Sequence, residues 1–160
     1  MRQSKIAQFA KGINIGIFFV NCSGNLFHMK HNYFQNEYCE YWIEDGIVFE
    51  IFKPNFEVLN VEVAKIITQD RLEISNGIAR PLYVELGDAV RMERAANKYL
   101  SSGDAMLHLT ATGILVRDQI ERYGATLYTK FFKPKVPTKF FTEKEVAIFW
   151  LSQFKIENLN

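Results

Sequence analysis

Histidine and cysteine are both scarce in this chain, with three and two copies in 160 residues. Cys22 and Cys39 form no CxxC pair and show no ligand spacing, so they define neither a disulfide framework nor a zinc site. His28, His31 and His108 are too few and too scattered for a metal cluster, and His108, in or beside a strand, reads as a structural imidazole. A reducing, cytoplasmic setting without metal or cofactor is the expectation. Charge of one sign is also missing: the net charge is +1 with both signs interspersed. That excludes a nucleic-acid groove and a polybasic membrane surface. Lys130, Lys133, Lys135 and Lys139, gathered around Pro134 and Pro137, read as solvated side chains. No apolar run is long enough to cross a bilayer. Catalytic signatures are missing as well: there is no GxSxG elbow, no phosphate-binding glycine loop and no HExxH. A non-enzyme is expected.

What is present is apolar and aromatic. Nearly half of the residues (48%) are hydrophobic and 14% are aromatic, a composition that builds a core rather than a disordered chain. The length suits one domain. Residues 1–28 stand apart as an N-terminal extension. Arg2, Lys5 and Lys11 precede an apolar run from Ile13 to Val20, as in a secretory signal, but Asn14 and Gly16 interrupt it. The compositional change near Met29 favours a natural start there, with the domain occupying residues 29–160.

From Glu37 the pattern is legible. Tyr38–Ile43 and Ile47–Phe52 are strand-like, and Glu44-Asp45-Gly46 between them signals a hairpin, since both central positions of a type I′ turn need positive φ. A helix is expected from Val61 to Ser75, capped by Asn60, stopped by Asn76-Gly77, and burying Val63, Ile66, Ile67 and Ile74. Asp70-Arg71 within it reads as a surface or intrahelical ion pair. Leu82–Leu86 suits a buried strand ending at Gly87-Asp88. Asp88 is expected to cap a helix starting almost at once, with Met92, Ala95, Ala96 and Tyr99 as its stripe and Glu93 favouring its first turn. Leu107–Val116 reads as another strand. Asp118 opens a helix with the stripe Ile120, Tyr123, Gly124, Leu127, Tyr128 and Phe131. Val136–Phe141 is a short strand. Thr142 and Glu145 form a capping box before a last helix that buries Val146, Phe149, Trp150 and Phe154. The fold class is therefore α/β, in the order β-β-α-β-α-β-α-β-α. Alternation implies a mostly parallel sheet, and the opening hairpin makes its N-terminal part antiparallel.

That order, with the pieces "YWIEDGIV", "DRLEISNG", "ELGDAV", the Arg122/Gly124 helix and "KPKVPTKFFTEKE", resembles the STAS/SEC14-like fold of bacterial anti-sigma-factor antagonists. More closely, it resembles a family of small uncharacterised bacterial STAS-like (SpoIIAA-like) proteins. The resemblance runs from about Glu37 to Phe154. It implies a regulatory protein-interaction module whose contact surface follows the central strand. In the antagonists a serine at the start of the next helix is phosphorylated there. No serine or threonine lies between Gly87 and Leu100, so that switch does not carry over. Gly87, Asp88, Arg91, Glu93 and Arg94 are the partner-contact candidates. The alternative is binding of a lipid or other apolar ligand, as in the SEC14 fold, with Phe131, Phe140 and Phe149 as pocket candidates from the aromatic-rich C-terminal third. Self-association is a third expectation, with the hairpin leaving an edge strand that pairs with a second copy.

Overall fold

The computed structural model describes residues 31–86, 91–117 and 133–156. Its chain order is β1 (His31–Gln35), β2 (Cys39–Glu44), β3 (Ile47–Phe52), β4 (Val58–Leu59), α1 (Val61–Ser75), β5 (Arg80–Glu85), β6 (Arg91–Met92), α2 (Arg94–Leu100), a 3₁₀ turn (Gly103–Met106), β7 (Leu109–Leu115), β8 (Thr138–Phe141) and α3 (Lys144–Ser152). Six strands form one sheet in the order β1-β2-β3-β5-β7-β8. The β1–β2 and β2–β3 pairs are antiparallel; β3–β5, β5–β7 and β7–β8 are parallel. The protein is thus α/β with a mostly parallel sheet and an antiparallel N-terminal hairpin. The hairpin turn takes the expected form, with φ of 48° at Asp45 and 74° at Gly46.

The hairpin is not the edge of the sheet, contrary to expectation. β1 lies outside β2, pairing Phe34 with Tyr41 and Gln35 with Glu40. Asn36 makes the connection by accepting the backbone N–H groups of Tyr38 and Cys39 at 2.6 and 2.7 Å on its side-chain oxygen. A second, two-stranded ribbon, β4 with β6, was also not visible in the sequence.

Helices cover both faces of the sheet. On one face α1 and α2 close a core of Tyr41, Ile43, Val48, Phe52, Leu59, Val63, Ile67, Leu82 and Val84. On the other, α3 closes over Trp42, Ile47, Phe49, Tyr83 and Ala111 through Ala147 and Leu151. Trp42 and Phe49 stack there at 5.1 Å. Gly113 on β7 permits close approach of α3, because a Cβ would stand 3.1 Å from Leu151 Cδ1. The expected helix from Asp118 to Phe131, with Gly124, lies outside the described residues, as do residues 1–30 and with them Cys22 and His28.

Helix ends follow the sequence at α1 and depart from it elsewhere. Asn60 Oδ1 accepts the Val63 N–H at 3.0 Å, and Asn76 ends the helix in the left-handed region. The inward face of α1, however, is Val63, Ala64, Ile67, Thr68, Arg71 and Ser75, while Ile66 is exposed. Before α3 the helix starts at Lys144 with Glu143 at the N-cap position, one residue beyond the expected Thr142, and the Glu143 side chain makes no cap hydrogen bond. The face that α3 buries also differs from the expected one. Ala147 and Leu151 face the sheet and Trp150 and Phe154 pack at its margin, whereas Val146 and Phe149 point to solvent. Small Ala147 allows the helix to lie close to the sheet, and the flatter contact strip wins over the bulkier one.

Candidate functional site

In a parallel sheet, the loops that leave the carboxyl ends of the strands share one edge, and ligands and partners favour that edge. Here β5 ends at Glu85 and the chain returns as β6. Val58 pairs with Arg91 and Leu59 with Met92 in parallel. The Arg91 N–H donates to the Glu57 carbonyl at 2.8 Å, and the Glu93 N–H to the Leu59 carbonyl at 2.9 Å. Met92 turns inward onto the core beside Leu59. This ribbon overrides the expected helix start. Met92 belongs to a strand, and α2 begins at Arg94. The N-cap position of α2 is Glu93, and Asp88, the expected cap, lies outside the described residues. Backbone groups that find strand partners outweigh a helical apolar spacing of four residues.

The ribbon fixes the backbone from which Arg91, Glu93 and Arg94 project, and all three are exposed. Gly87 and Asp88 lie outside the described residues. Of the aromatic candidates, Phe140 is half-buried on β8, Phe149 is 71% exposed on α3, and Phe131 lies outside the described residues. Phe149 therefore does not line an interior cavity. Among the described residues no helix is long and apolar enough to cross a membrane, and no cluster of three metal-ligating side chains occurs. His108 is exposed, at φ 55°, just before β7; it is not the packed imidazole expected from its neighbours. Lys133, Lys135 and Lys139 are exposed, with Lys139 Nζ over the Trp150 ring at 5.1 Å.

A second concentration of polar groups was missed by the sequence reading because it is buried. On the α1 face of β3, Glu50 is 5% exposed; Arg71, facing it from α1, is 2% exposed. Tyr41 stands opposite Glu50 across the β2–β3 pair, fully buried, with its hydroxyl lacking a hydrogen-bond partner. Burial pushes the Glu50 carboxyl up to about 7, against the pull of Arg71 and with the help of Asp70. The same burial lowers Arg71, and Glu50 counters that effect. Burial also drives up the Cys39 thiol and the Tyr41 hydroxyl, each with a further contribution from Glu50.

Arg71 is not half of an ion pair with Asp70. Its guanidinium donates to the Ala105 carbonyl at 2.9 Å and the Leu107 carbonyl at 3.0 Å, which ties α1 to the turn before β7. Asp70 instead accepts from the side-chain amide of Asn36. Two signals were available. Glu50 is the one charged residue in the run "IVFEIF", on the same face as Val48 and Phe52. Arg71 falls four residues after Ile67, within the inward stripe. The cluster gathers a carboxyl, a guanidinium, a phenol and a thiol away from water.

Among solved structures, an uncharacterised protein of the DUF3478 family from Shewanella loihica PV-4, described as having a SpoIIAA-like fold, is similar to this chain. The identity is 18%, over 82% of this chain and 99% of that one, with a TM-score of 0.45. No curated protein matches the chain. The model of a domain of unknown function, DUF7793, matches residues 41–155. That span takes in β2 through α3, nearly all of the described fold, and the protein belongs to the DUF7793 family.

Proposed function

We propose that the protein is a non-enzymatic, STAS-like interaction module that docks a protein partner through the surface from Gly87 to Arg94. The observation that carries this reading is the β4–β6 ribbon. It holds the backbone of 91–93 by two hydrogen bonds while Arg91, Glu93 and Arg94 project into solvent at the carboxyl end of the central strands. A fixed backbone lowers the ordering cost of binding. Two arginines flanking a glutamate give the surface a charge pattern, which acts on orientation and specificity more than on raw affinity. No hydroxyl lies in this segment for a phosphorylation switch, so binding here is set by charge and shape.

Reversing one of these charges is the test. Arg94→Glu should leave the fold intact by circular dichroism, because Arg94 is exposed and opens α2 without a capping role. Affinity capture with the parent chain identifies the partner, and calorimetry with that partner then compares the two proteins. The expected loss is about tenfold or more in Kd, equivalent to about 1.4 kcal/mol, with weaker salt dependence. Full retention of the partner by the variant would remove this surface from consideration.

A further inference from the structure

With Ala147 and Leu151 turned to the sheet, α3 carries apolar groups on its outer side. Phe149 is 71% exposed there and Val146 47%, three residues apart and therefore neighbours on the helix surface. Trp150, half-buried, extends the patch towards the margin, where Lys139 Nζ covers its ring. Ile156, just past the helix, is 56% exposed. Single exposed apolar side chains are ordinary, but a contiguous group marks an interaction site. We propose that this face binds the same face of a second copy of the chain, with two α3 helices crossing antiparallel about Phe149.

The polar groups beside Phe149 select a copy as the occupant. Glu145, Phe149 and Gln153 are spaced by four, so they form one row along the outer side, and all three are exposed. Gln153 lies just past the last helical residue but keeps helical backbone angles, φ −72° and ψ −12°, so the row runs on through it. In the commonest class of helix crossing, the i±4 rows of the two helices lie alongside each other. A two-fold axis through Phe149 then sets Glu145 of one copy beside Gln153 of the other, and it does so twice. The carboxylate accepts and the amide donates. A parallel pairing would instead set the two Glu145 carboxylates together. Ser152 makes no demand on the contact, because its hydroxyl donates back to the Phe149 carbonyl at 2.7 Å. A partner of another sequence would have to supply matches for both polar groups, whereas a copy carries them already.

The size of the face sets the strength. An aromatic side chain covers about 150–250 Å² when buried, so the exposed part of Phe149 offers about 110–180 Å² per copy. A nine-residue helix is only about 13 Å long, and its contact falls short of the about 800 Å² per partner of a standard interface. The dimer is therefore weak and concentration-dependent. The face lies across the sheet from α1 and α2, so pairing leaves Arg94 on α2 uncovered and stands or falls apart from the docking surface.

Sedimentation equilibrium of the full chain from about 5 µM to about 500 µM covers association of this strength. The parent should pass from monomer to dimer within that range. Phe149→Ser should raise the dissociation constant by about tenfold or more, as loss of a central aromatic does. Its circular dichroism should not change in dilute solution, because the ring stands mostly outside its own fold. Gln153→Glu opposes a carboxylate to Glu145 at both ends of the contact and should weaken the dimer by a similar factor. Adding Glu145→Lys to that variant makes each pair attractive again, and the dissociation constant should return to within about threefold of the parent's. A parent chain that stays monomeric to the top of the range overturns the proposal. A dimer that survives Phe149→Ser overturns it too, since its interface then lies elsewhere. So does a double variant that stays dissociated, because Glu145 and Gln153 then do not meet across the axis.

Discussion

Replacing Glu50 with glutamine changes one buried charge and almost no volume, and the structure fixes how its effect must vary with pH. The carboxyl goes from its ordinary value of 4.5 in the unfolded chain to about 7 in the folded protein, chiefly through burial. Between these values the folded chain holds a proton that the unfolded chain has released. Stability therefore falls as pH rises through this window, and the loss is complete above about 7. At about 1.4 kcal/mol for each pH unit between the two values, the total comes to about 3 kcal/mol. Glutamine is neutral throughout. The variant should therefore gain on the parent by about 3 kcal/mol between about pH 4 and about pH 8, whatever their difference at the acid end. Glutamine and protonated Glu50 are both neutral, so the acid end is the matched comparison. Asp70 titrates in both proteins and cancels in the difference. Urea unfolding at a series of pH values measures this directly. Parallel stability curves for the two proteins would refute the reasoning, because they would mean that Glu50 ionises in the folded protein as it does in water.

Two other substitutions test the packing of the opposite face. Gly113→Ala should destabilise the fold by about 1–3 kcal/mol, since the new Cβ meets buried Leu151 at 3.1 Å and 3.2 Å; an unchanged urea midpoint would show that α3 does not approach β7 so closely. Leu151→Ala should cost about 2–5 kcal/mol, because that side chain is fully buried against the sheet. Phe149→Ser, two residues away and mostly exposed, should stay within about 0.5 kcal/mol of the parent, and equal losses at the two sites would overturn the rotation assigned to α3.

The α3 case shows where sequence patterns lose their hold. Val146, Phe149, Trp150 and Phe154 make the more hydrophobic stripe, yet the helix presents Ala147 and Leu151 to the sheet. Both stripes have helical spacing, and only the shape of the opposing surface, opened by Gly113, selects between them. At β6 the periodicity of Met92 with Ala95, Ala96 and Tyr99 was compatible with a helix, but Arg91 and Glu93 found carbonyl partners at Glu57 and Leu59. Those partners lie more than thirty residues away in sequence, and no local pattern contains them. Arg91, Glu93 and Arg94 were legible as a charged stretch after a strand, and all three are exposed.

The sequence by itself determined the α/β class, the Asp45-Gly46 hairpin, the bounds and both caps of α1, and the mostly parallel sheet that alternating elements require. Each is a local property: backbone freedom at a turn, a capping side chain, or a hydrophobic period. Only the tertiary structure decided that β1 covers the hairpin, that β4 and β6 pair, and that Glu50, Arg71 and Tyr41 share one dry interior. An acid in a strand and an arginine in a helix carry no mark of each other. Their chemistry arises from exclusion of water, and that happens only when a helix and a sheet close over them.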